Sequence, residues 1–223
     1  MSAIAYVRRH PSAGLLVVQL AGLLLYPWME TSPQGRALFG VFGLFVLGLV
    51  LRVIRRTPWL TWVGVLLATP AIAIAVISLF SPHPELTAAM AGFEAAVYFY
   101  AAGSLITYML QDWVVTTDEL FAAGATFTLL AWGFAYAFVV HQAISPGSFG
   151  LPGDPQATRS WLELLYLSVM LLSSVGLSDV IPVTPMARGL AMLEAFTGVM
   201  YIALVVSRLI GLVAIKQQRA GGT

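Results

Sequence analysis

The chain has 223 residues, of which 59% are hydrophobic and only 9% are charged, and its formal net charge is +1. So few charged side chains could hardly cover the surface of a water-soluble domain of this length, and the composition therefore indicates an integral membrane protein. The sequence has no cysteine, which excludes disulfides, thiol catalysis and cysteine-based metal sites. It has no basic stretch interleaved with aromatic residues, so we expect no nucleic-acid partner.

Six apolar segments approach the length of about 20 residues that a helix needs to cross a bilayer. We therefore predict an all-α integral membrane protein with six transmembrane helices. The predicted spans are residues 12–26, 36–53, 59–80, 86–110, 119–141 and 186–215. The first four form an N-terminal membrane domain, residues 1–115, the last two belong to a second domain, residues 116–216, and residues 217–223 form a short tail.

The orientation of the spans follows from arginine and lysine, which are enriched in short cytoplasmic loops. With six spans, three basic clusters fall on one side of the membrane. They are Arg8 and Arg9 before the first span, Arg52, Arg55 and Arg56 at the end of the second, and Arg208, Lys216 and Arg219 at the end of the last. We therefore expect a multi-pass protein of the cell (plasma or inner) membrane with both termini in the cytoplasm.

A short helix is predicted between the last two spans. Ser160 and Glu163 match the S/T-x-x-E capping box, which predicts a helix over residues 160–172. At about 20 Å, this helix is too short to cross the membrane. The polar stretch 173–179 follows it, and Thr184 and Pro185 then provide an N-cap and a first-turn proline for the last span.

Irregular backbone at membrane depth is tolerated only where protein shields it or where it lines water. Residues 160–179 are therefore predicted to form a re-entrant loop, with residues 173–179 along a water-filled path. The alternative is that residues 160–181 form an extracellular amphipathic segment.

The sequence SSVGLSDVIPVTPMAR, residues 173–188, resembles the pore loop of tetrameric potassium channels, whose usual filter sequence is T-V-G-Y-G-D. The residues on the six filter positions are Ser174, Val175, Gly176, Leu177, Ser178 and Asp179. Further matches to simple two-helix channels of this family are Pro182, Val183, Thr184, Arg188 and a glycine at the inner-helix hinge position, Gly198. Residues 116–138 resemble the outer helix of bacterial six-span proteins with this pore, and the whole resemblance covers about residues 117–215.

The resemblance implies a pore domain with an outer helix at residues 119–141, a pore helix at 160–172, a filter at 173–179 and an inner helix at 186–213. The residues implied to conduct ions are Ser174, Val175, Gly176, Leu177 and Ser178, with K⁺ (or Na⁺) bound at the first four. The residues implied to support the filter are Ser173, Asp179, Arg188 and Glu194, and Gly198 is the implied gating hinge. One chain contributes one pore loop to a ring of four, so we expect a homotetramer in the lipid bilayer, with no cofactor other than permeant monovalent cations, above all K⁺.

The chemistry of a cation filter explains these residue types and two departures from the family pattern. A filter turns successive carbonyl groups toward one axis, which requires left-handed backbone at some positions, and Gly176 supplies it at little cost. Leu177 replaces the usual tyrosine or phenylalanine, and Ser178 replaces the second glycine. If the backbone of Ser178 is left-handed, serine costs on the order of 1 to 2 kcal/mol there. We therefore expect passive K⁺ conduction with weaker discrimination against Na⁺ than is usual.

The four N-terminal spans occupy the place of a voltage sensor but do not have its charges. Each elementary charge that crosses the membrane field contributes about 2.3 kcal/mol per 100 mV, so a sensor helix needs several arginines. The fourth span, residues 86–110, contains no arginine or lysine. Arg52, Arg55 and Arg56 are interpreted as positive-inside anchors.

Two intramembrane carboxylates, Glu94 and Glu194, are functional candidates by default. Glu194 could face the pore and concentrate cations, or pair behind the filter with Arg188 or with a hydroxyl of the pore helix. Glu94 is interpreted as the partner of a neighbouring polar group rather than as a gate.

Other function classes fit the hydropathy less well. An enzyme needs a catalytic constellation, and the sequence has no HExxH, no glycine-flanked nucleophile and no close pair of histidine and acid. A small secondary transporter often shows repeated halves with paired broken helices, and no repeat is present. The remaining alternative is a channel-like protein that does not conduct and has a structural or regulatory role in the membrane.

Overall fold

The computed structural model describes residues 10–30, 84–110, 116–150 and 157–208, together with isolated positions between 42 and 74 and at 210 and 211. The helices are α1 (Pro11–Glu30), α2 (Pro84–Leu110), α3 (Thr117–Ile144), α4 (Trp161–Leu172) and α5 (Pro185–Tyr201). A π-helical turn, Ile202–Val206, continues α5. Two short strands, β1 (Phe149–Gly150) and β2 (Ile181–Pro182), pair antiparallel, with Phe149 opposite Pro182 and Gly150 opposite Ile181.

Four of the described helices are long and apolar enough to cross a membrane, namely α1, α2, α3 and α5 with its π-helical turn. The protein is therefore a mostly helical membrane protein, as its composition predicts. These helices correspond to the predicted spans 12–26, 86–110, 119–141 and 186–215. The predicted spans 36–53 and 59–80 lie largely outside the described residues.

The first and the last predicted spans differ from the structure near their ends, and α3 extends two residues before and three residues beyond the predicted 119–141. The first span was expected to end before Pro27, but α1 continues through this proline to Glu30. Proline removes one backbone hydrogen bond from a helix, and here it falls in the last turn, where Tyr26 packs against Trp161 of α4 at a ring distance of 5.0 Å. The predicted inner helix, 186–213, changes to π-helical geometry at Ile202–Val206.

Polar contacts fix the directions of the helices around α3. Ser12 of α1 bonds to Asp118 at the start of α3, and Gln19 lies 2.7 Å from Thr128 one level further along, so α1 and α3 run parallel. In contrast, α2 runs antiparallel to α3, because Gly92 near the start of α2 lies beside Val140 near the end of α3, whereas Phe99 further along α2 lies beside Gly133. The aromatic pair Phe99–Phe134, with ring centroids 4.9 Å apart, joins these two helices.

The main core surrounds α3, the most extensively buried of the described helices. Tyr98 of α2 stacks on Tyr136 and meets Trp132 edge-on, both at 5.6 Å, and Trp132 meets Trp161 of α4 edge-on at 5.3 Å. A smaller cluster around Phe138 and Phe149 lies beneath the two-stranded sheet. The aromatic contacts therefore join the N-terminal helices to the beginning of α4.

Three helix starts follow the local chemistry that the sequence predicts. The hydroxyl groups of Thr116, Ser160 and Thr184 each accept a hydrogen bond from a backbone N–H in the first turn of the next helix. At Ser160 the capping box is complete, because the Glu163 carboxylate also accepts from the Ser160 N–H at 2.6 Å. Pro185 occupies the first turn after Thr184, where a missing N–H leaves no helical bond unmade.

The link between α1 and α3 predicts an energetic coupling. The buried carboxylate of Asp118 accepts from the N–H and the hydroxyl of Ser12 at 3.1 and 3.0 Å. We expect Asp118→Ala to lower the free energy of unfolding in detergent by about 1 to 3 kcal/mol, because it leaves buried donors without a partner. Ser12→Ala and Asp118→Ala together should show a coupling of at least about 0.5 kcal/mol in a double-mutant cycle.

Thr107→Ala is the matched control for this cycle. Its hydroxyl is exposed and bonds only within α2, to the Gly103 carbonyl. Its effect should add to that of Asp118→Ala without coupling. Equal coupling of Asp118 to Ser12 and to Thr107 would contradict the assignment of the link.

Candidate functional site

The site begins with α4, a helix of 12 residues that lies between α3 and α5. One face of α4 is buried against these helices through Leu164, Leu165, Leu167, Ser168 and Leu172. A helix of this length is marginal alone, so its position is determined by packing and by contacts at its ends.

The start of α4 is held to the end of α3 by a side chain that the sequence analysis did not identify. Gln142 donates to the Arg159 carbonyl at 3.0 Å and accepts from the Arg159 N–H at 2.8 Å. Arg159 also lies 3.8 Å from Glu163 in the first turn of α4. A glutamine near the end of an apolar helix is the available signal, but its partner is 17 residues away and cannot be read from local spacing.

The end of α4 is a Schellman motif, a closing turn in which two N–H groups bond back to the last helical carbonyls. The Ser174 N–H donates to the Leu171 carbonyl at 2.9 Å, and the Val175 N–H donates to the Met170 carbonyl at 3.0 Å. The motif requires a left-handed residue after the cap, usually glycine, and here that residue is Ser174, with φ +61°.

The left-handed backbone therefore lies at a different serine from the one considered in the sequence analysis. Ser174 is the only non-glycine residue with positive φ within the described ranges, and Ser178 is not left-handed. The Ser178 hydroxyl instead accepts from the Val180 N–H at 3.1 Å. The strain expected at Ser178 is absent, and a cost of about 1 to 2 kcal/mol falls on Ser174.

The N–H groups and the carbonyl groups of the filter segment, residues 174–178, have different environments. Gly176, with φ +69°, also donates its N–H to Met170, at 2.9 Å. Three successive N–H groups, at 174–176, are thus used at the end of α4. No described residue donates a hydrogen bond to the carbonyl oxygens of Ser174, Val175 or Gly176. Residues 174–176 therefore present free carbonyl acceptors while their own N–H groups are bonded.

The filter segment is exposed on the subunit and lies between two open cavities. The side chains of Val175 and Leu177 are 55% and 70% exposed. One cavity, of about 790 Å³, is lined by Leu162, Glu163, Tyr166, Leu177, Ser178 and Asp179. The other, of about 440 Å³, is lined by Leu171, Ser174, Gly176, Ala195, Phe196 and Val199. The segment thus separates a cavity with two carboxylates from a largely apolar one.

The chain after the filter segment is tied back to the end of α3. Val180 is buried, and the Val183 N–H donates to the Ser148 carbonyl at 2.8 Å, next to the β1–β2 pair. His141 near the end of α3 lies 3.2 Å from the Thr184 hydroxyl that caps α5. The end of α3 and the start of α5 therefore meet on the same side of the structure.

The structure assigns a partner to each intramembrane carboxylate. Glu194 is buried and bonds to the hydroxyl of Ser168 on α4, which is one of the alternatives left open by the sequence. Arg188 is not its partner, because its Nε donates to the Pro182 carbonyl at 3.2 Å. Glu94 accepts from the Tyr136 hydroxyl, so it has a neighbouring polar partner as expected.

The remaining site residues that the resemblance implies are Ser173, Asp179 and Gly198. Ser173 caps the helix, with its N–H bonded to the Val169 carbonyl at 3.0 Å, and Asp179 is exposed. Gly198 faces the end of α4 so closely that a Cβ there would overlap the Leu172 carbonyl. The π-helical turn begins four residues after Gly198. Gly198 thus permits a close contact between α5 and α4.

Within the described ranges, no cluster of three or more histidine, aspartate or glutamate side chains could hold a metal ion. The oxygen atoms near the filter segment are backbone carbonyls, serine hydroxyls and, on the side of the larger cavity, the carboxylates of Glu163 and Asp179. Carbonyl and hydroxyl oxygens are suitable ligands for a monovalent cation that has lost its water shell.

The candidate site lies in the part of the chain that is similar to known proteins. A family model described as an ion channel matches residues 95–214, which include α3, α4, the filter segment and α5. Protein LctB of Bacillus caldotenax is 32% identical to this chain over 125 residues, which cover 54% of this chain and 92% of that protein. No solved structure matches significantly.

The close contact at Gly198 predicts that a single methyl group will disturb the site. We expect Gly198→Ala to lower the free energy of unfolding in detergent by about 1 to 3 kcal/mol, because backbone must move to admit the Cβ. Gly189→Ala on the same helix is the control, since nothing lies within 4 Å of its added Cβ. Gly189→Ala should be neutral or slightly stabilising, and equal effects of the two changes would exclude the contact.

The left-handed Ser174 predicts opposite effects of two glycine substitutions. Ser174→Gly relieves the strain and should raise the free energy of unfolding by up to about 1 kcal/mol, after the entropic cost of glycine is subtracted. Ser178→Gly has no strain to relieve and loses the bond to Val180, so it should lower that free energy by about 1 kcal/mol. Chemical unfolding in detergent measures both changes. A higher free energy of unfolding in Ser178→Gly together with a lower one in Ser174→Gly would contradict the assignment of the left-handed residue to Ser174.

Proposed function

Because the chain belongs to the ion channel family, we propose that it is the pore-forming subunit of a tetrameric cation channel that conducts K⁺ passively. The observation that carries this proposal is the pattern of hydrogen bonds at residues 174–176, whose N–H groups bond to α4 while their carbonyl oxygens have no described donor. Free carbonyl oxygens whose own residues have bonded N–H groups attract a cation and repel an anion.

Family membership identifies the protein as a channel embedded in a membrane and not as an enzyme. The proposal goes further in assigning the filter. Left-handed Ser174 and Gly176 flank Val175, whose φ is not positive. An alternation of left-handed and right-handed residues is what a filter needs to turn successive carbonyl groups in a common direction. The proposed ion-binding residues are Ser174, Val175, Gly176 and Leu177, with Ser178 at the next position.

Four copies are needed to complete the proposed filter. In a single subunit the segment is exposed, and unpaired backbone at membrane depth is tolerated only when protein shields it or when it lines water. The exposed apolar side chains of α5 include Met186, Met192, Leu193, Phe196 and Val199. We propose that neighbouring subunits cover part of this face and bring four filter segments around one axis.

The helix directions support the proposed topology of six spans. Successive spans alternate in direction, so the first and fifth spans run parallel and the fourth runs antiparallel to them. The directions of α1, α3 and α2 fit these three positions. Because the end of α3 meets the start of α5, α4 and the filter segment would enter and leave the membrane on one side, as a re-entrant loop does. The basic residues at the ends of the spans favour cytoplasmic termini in the cell membrane.

The proposed weak discrimination between K⁺ and Na⁺ depends mainly on Leu177. Its side chain is apolar and 70% exposed, so it provides no hydroxyl group to brace the filter. Ser178 contributes less, because its backbone is not left-handed and its hydroxyl is bonded to Val180.

Ion flux through the purified protein in liposomes tests the proposal. We expect flux driven by either a K⁺ or a Na⁺ gradient, and a permeability ratio that favours K⁺ at least about tenfold more in the Leu177→Tyr, Ser178→Gly double variant, equivalent to about 1.4 kcal/mol. Because Ser178 is not strained, Leu177→Tyr alone should give most of this gain, and Ser178→Gly alone should give little.

Native mass spectrometry of the same samples provides the control for assembly, with four chains of 23.9 kDa expected in each particle. Absence of flux from tetrameric wild-type protein and from all three variants would favour the channel-like protein that does not conduct. A particle of one or two chains that still conducts would contradict the proposed ring of four.

A further inference from the structure

Ser168 on α4 has one hydroxyl proton and two oxygen neighbours. Its Oγ lies 2.7 Å from the backbone carbonyl oxygen of Ala131 on α3 and within hydrogen-bonding distance of Oε1 of Glu194 on α5. A backbone carbonyl oxygen can only accept a hydrogen bond, and a serine hydroxyl donates only one. The Ser168 proton is therefore used by Ala131, and the contact between Ser168 and Glu194 needs a second proton.

We propose that Glu194 is a neutral carboxylic acid that donates its proton to Ser168, and that the resulting chain of hydrogen bonds positions α4. The chain runs from Glu194 Oε1–H to Ser168 Oγ, and from Ser168 Oγ–H to the Ala131 carbonyl. It joins α5, α4 and α3 at one point, four residues before α4 ends at Leu172. The importance of this position for ion conduction rests on the proposed function, whereas the protonation itself does not.

The burial of Glu194 and the charges around it support the conclusion that this side chain carries a proton. Glu194 has no exposed surface, and in the described part of the chain it makes no ion pair. Arg159 lies beside Glu163, and Arg188 bonds to a backbone carbonyl. A buried carboxylate without a cationic partner costs several kcal/mol, and a bound proton removes that charge.

The second oxygen of Glu194 gives independent support. Oε2 is buried and has no hydrogen-bond partner among the residues that the structure describes. In an ionised carboxylate the charge is shared by both oxygens, and each then needs donors. In the neutral acid Oε2 is an uncharged carbonyl oxygen, for which a missing hydrogen bond costs much less than it does for a charged oxygen.

Infrared spectroscopy of the full-length protein in lipid at neutral pH tests the protonation directly. We expect the spectrum of the wild type minus that of Glu194→Gln to contain the C=O stretching band of a protonated carboxylic acid. Glu163→Gln is the matched control on the exposed side of α4 and should remove only ionised-carboxylate bands. A wild-type minus Glu194→Gln spectrum with ionised-carboxylate bands alone would overturn the proposal.

The positioning role is tested by three substitutions that differ in their donors. In Glu194→Gln the amide N–H₂ can replace the acid as donor to Ser168, so its unfolding temperature should stay near that of the wild type. Glu194→Leu and Ser168→Ala break the chain, and both unfolding temperatures should fall by several degrees. If Glu194→Leu were as stable as Glu194→Gln, the positioning role would be excluded.

The two proposals can fail separately. Wild-type protein that shows the protonated-acid band but no flux would contradict the proposed conduction and support the inference about Glu194. Wild-type protein that conducts but lacks the band would support the proposed conduction and contradict the inference about Glu194.

Discussion

The end of α4 determines where the backbone polar groups of the filter segment point. Four successive N–H groups, at residues 173–176, bond back to carbonyl groups at 169–171, so the chain leaves the helix without unpaired donors. In a membrane such donors would each cost several kcal/mol. The carbonyl oxygens of residues 174–176 have no donor among the described residues, so they are available to water or to a cation. The closing turn of α4 thus pairs the N–H groups of the chain and leaves its carbonyl oxygens as an electronegative surface.

This surface has a defined position only if α4 is held in place. The contacts that hold α4 are distributed along the length of the helix. The capping box of Ser160 fixes its start, Ser168 joins its middle to α3 and α5, and the Leu172 carbonyl packs on Gly198 at its end. The aromatic cluster around Trp161 adds the N-terminal helices to this framework. Ser168 and Gly198 are therefore two points at which α4 contacts α5 directly.

The parts of this arrangement that the sequence predicted have local causes. Hydropathy is sufficient for the long helices, and the spacing of Ser160 and Glu163 is sufficient for the start of α4. The contacts that position α4 have no local cause. The partner of Glu194 is 26 residues away, and the sequence left open whether this side chain faces the pore or pairs behind the filter with Arg188 or a hydroxyl. Gly198 was interpreted as a hinge because of its place in the family pattern, whereas its contact with Leu172 depends on how two helices meet in space.

The position of the left-handed serine differs from the one that comparison with the usual filter sequence suggests, and the difference has a physical reason. Strain was expected at Ser178 because glycine is usual there, but the closing turn of α4 requires its left-handed residue directly after the cap, at Ser174. Glycine at 174 would satisfy that turn at lower cost, but it has no hydroxyl. The Ser174 side chain lies beside the apolar cavity, and under the proposed function its oxygen would add a ligand at the end of the row of free carbonyls. Under the proposed function, the residue at 174 is therefore better explained by ion binding than by folding, with strain retained where the site needs an oxygen atom.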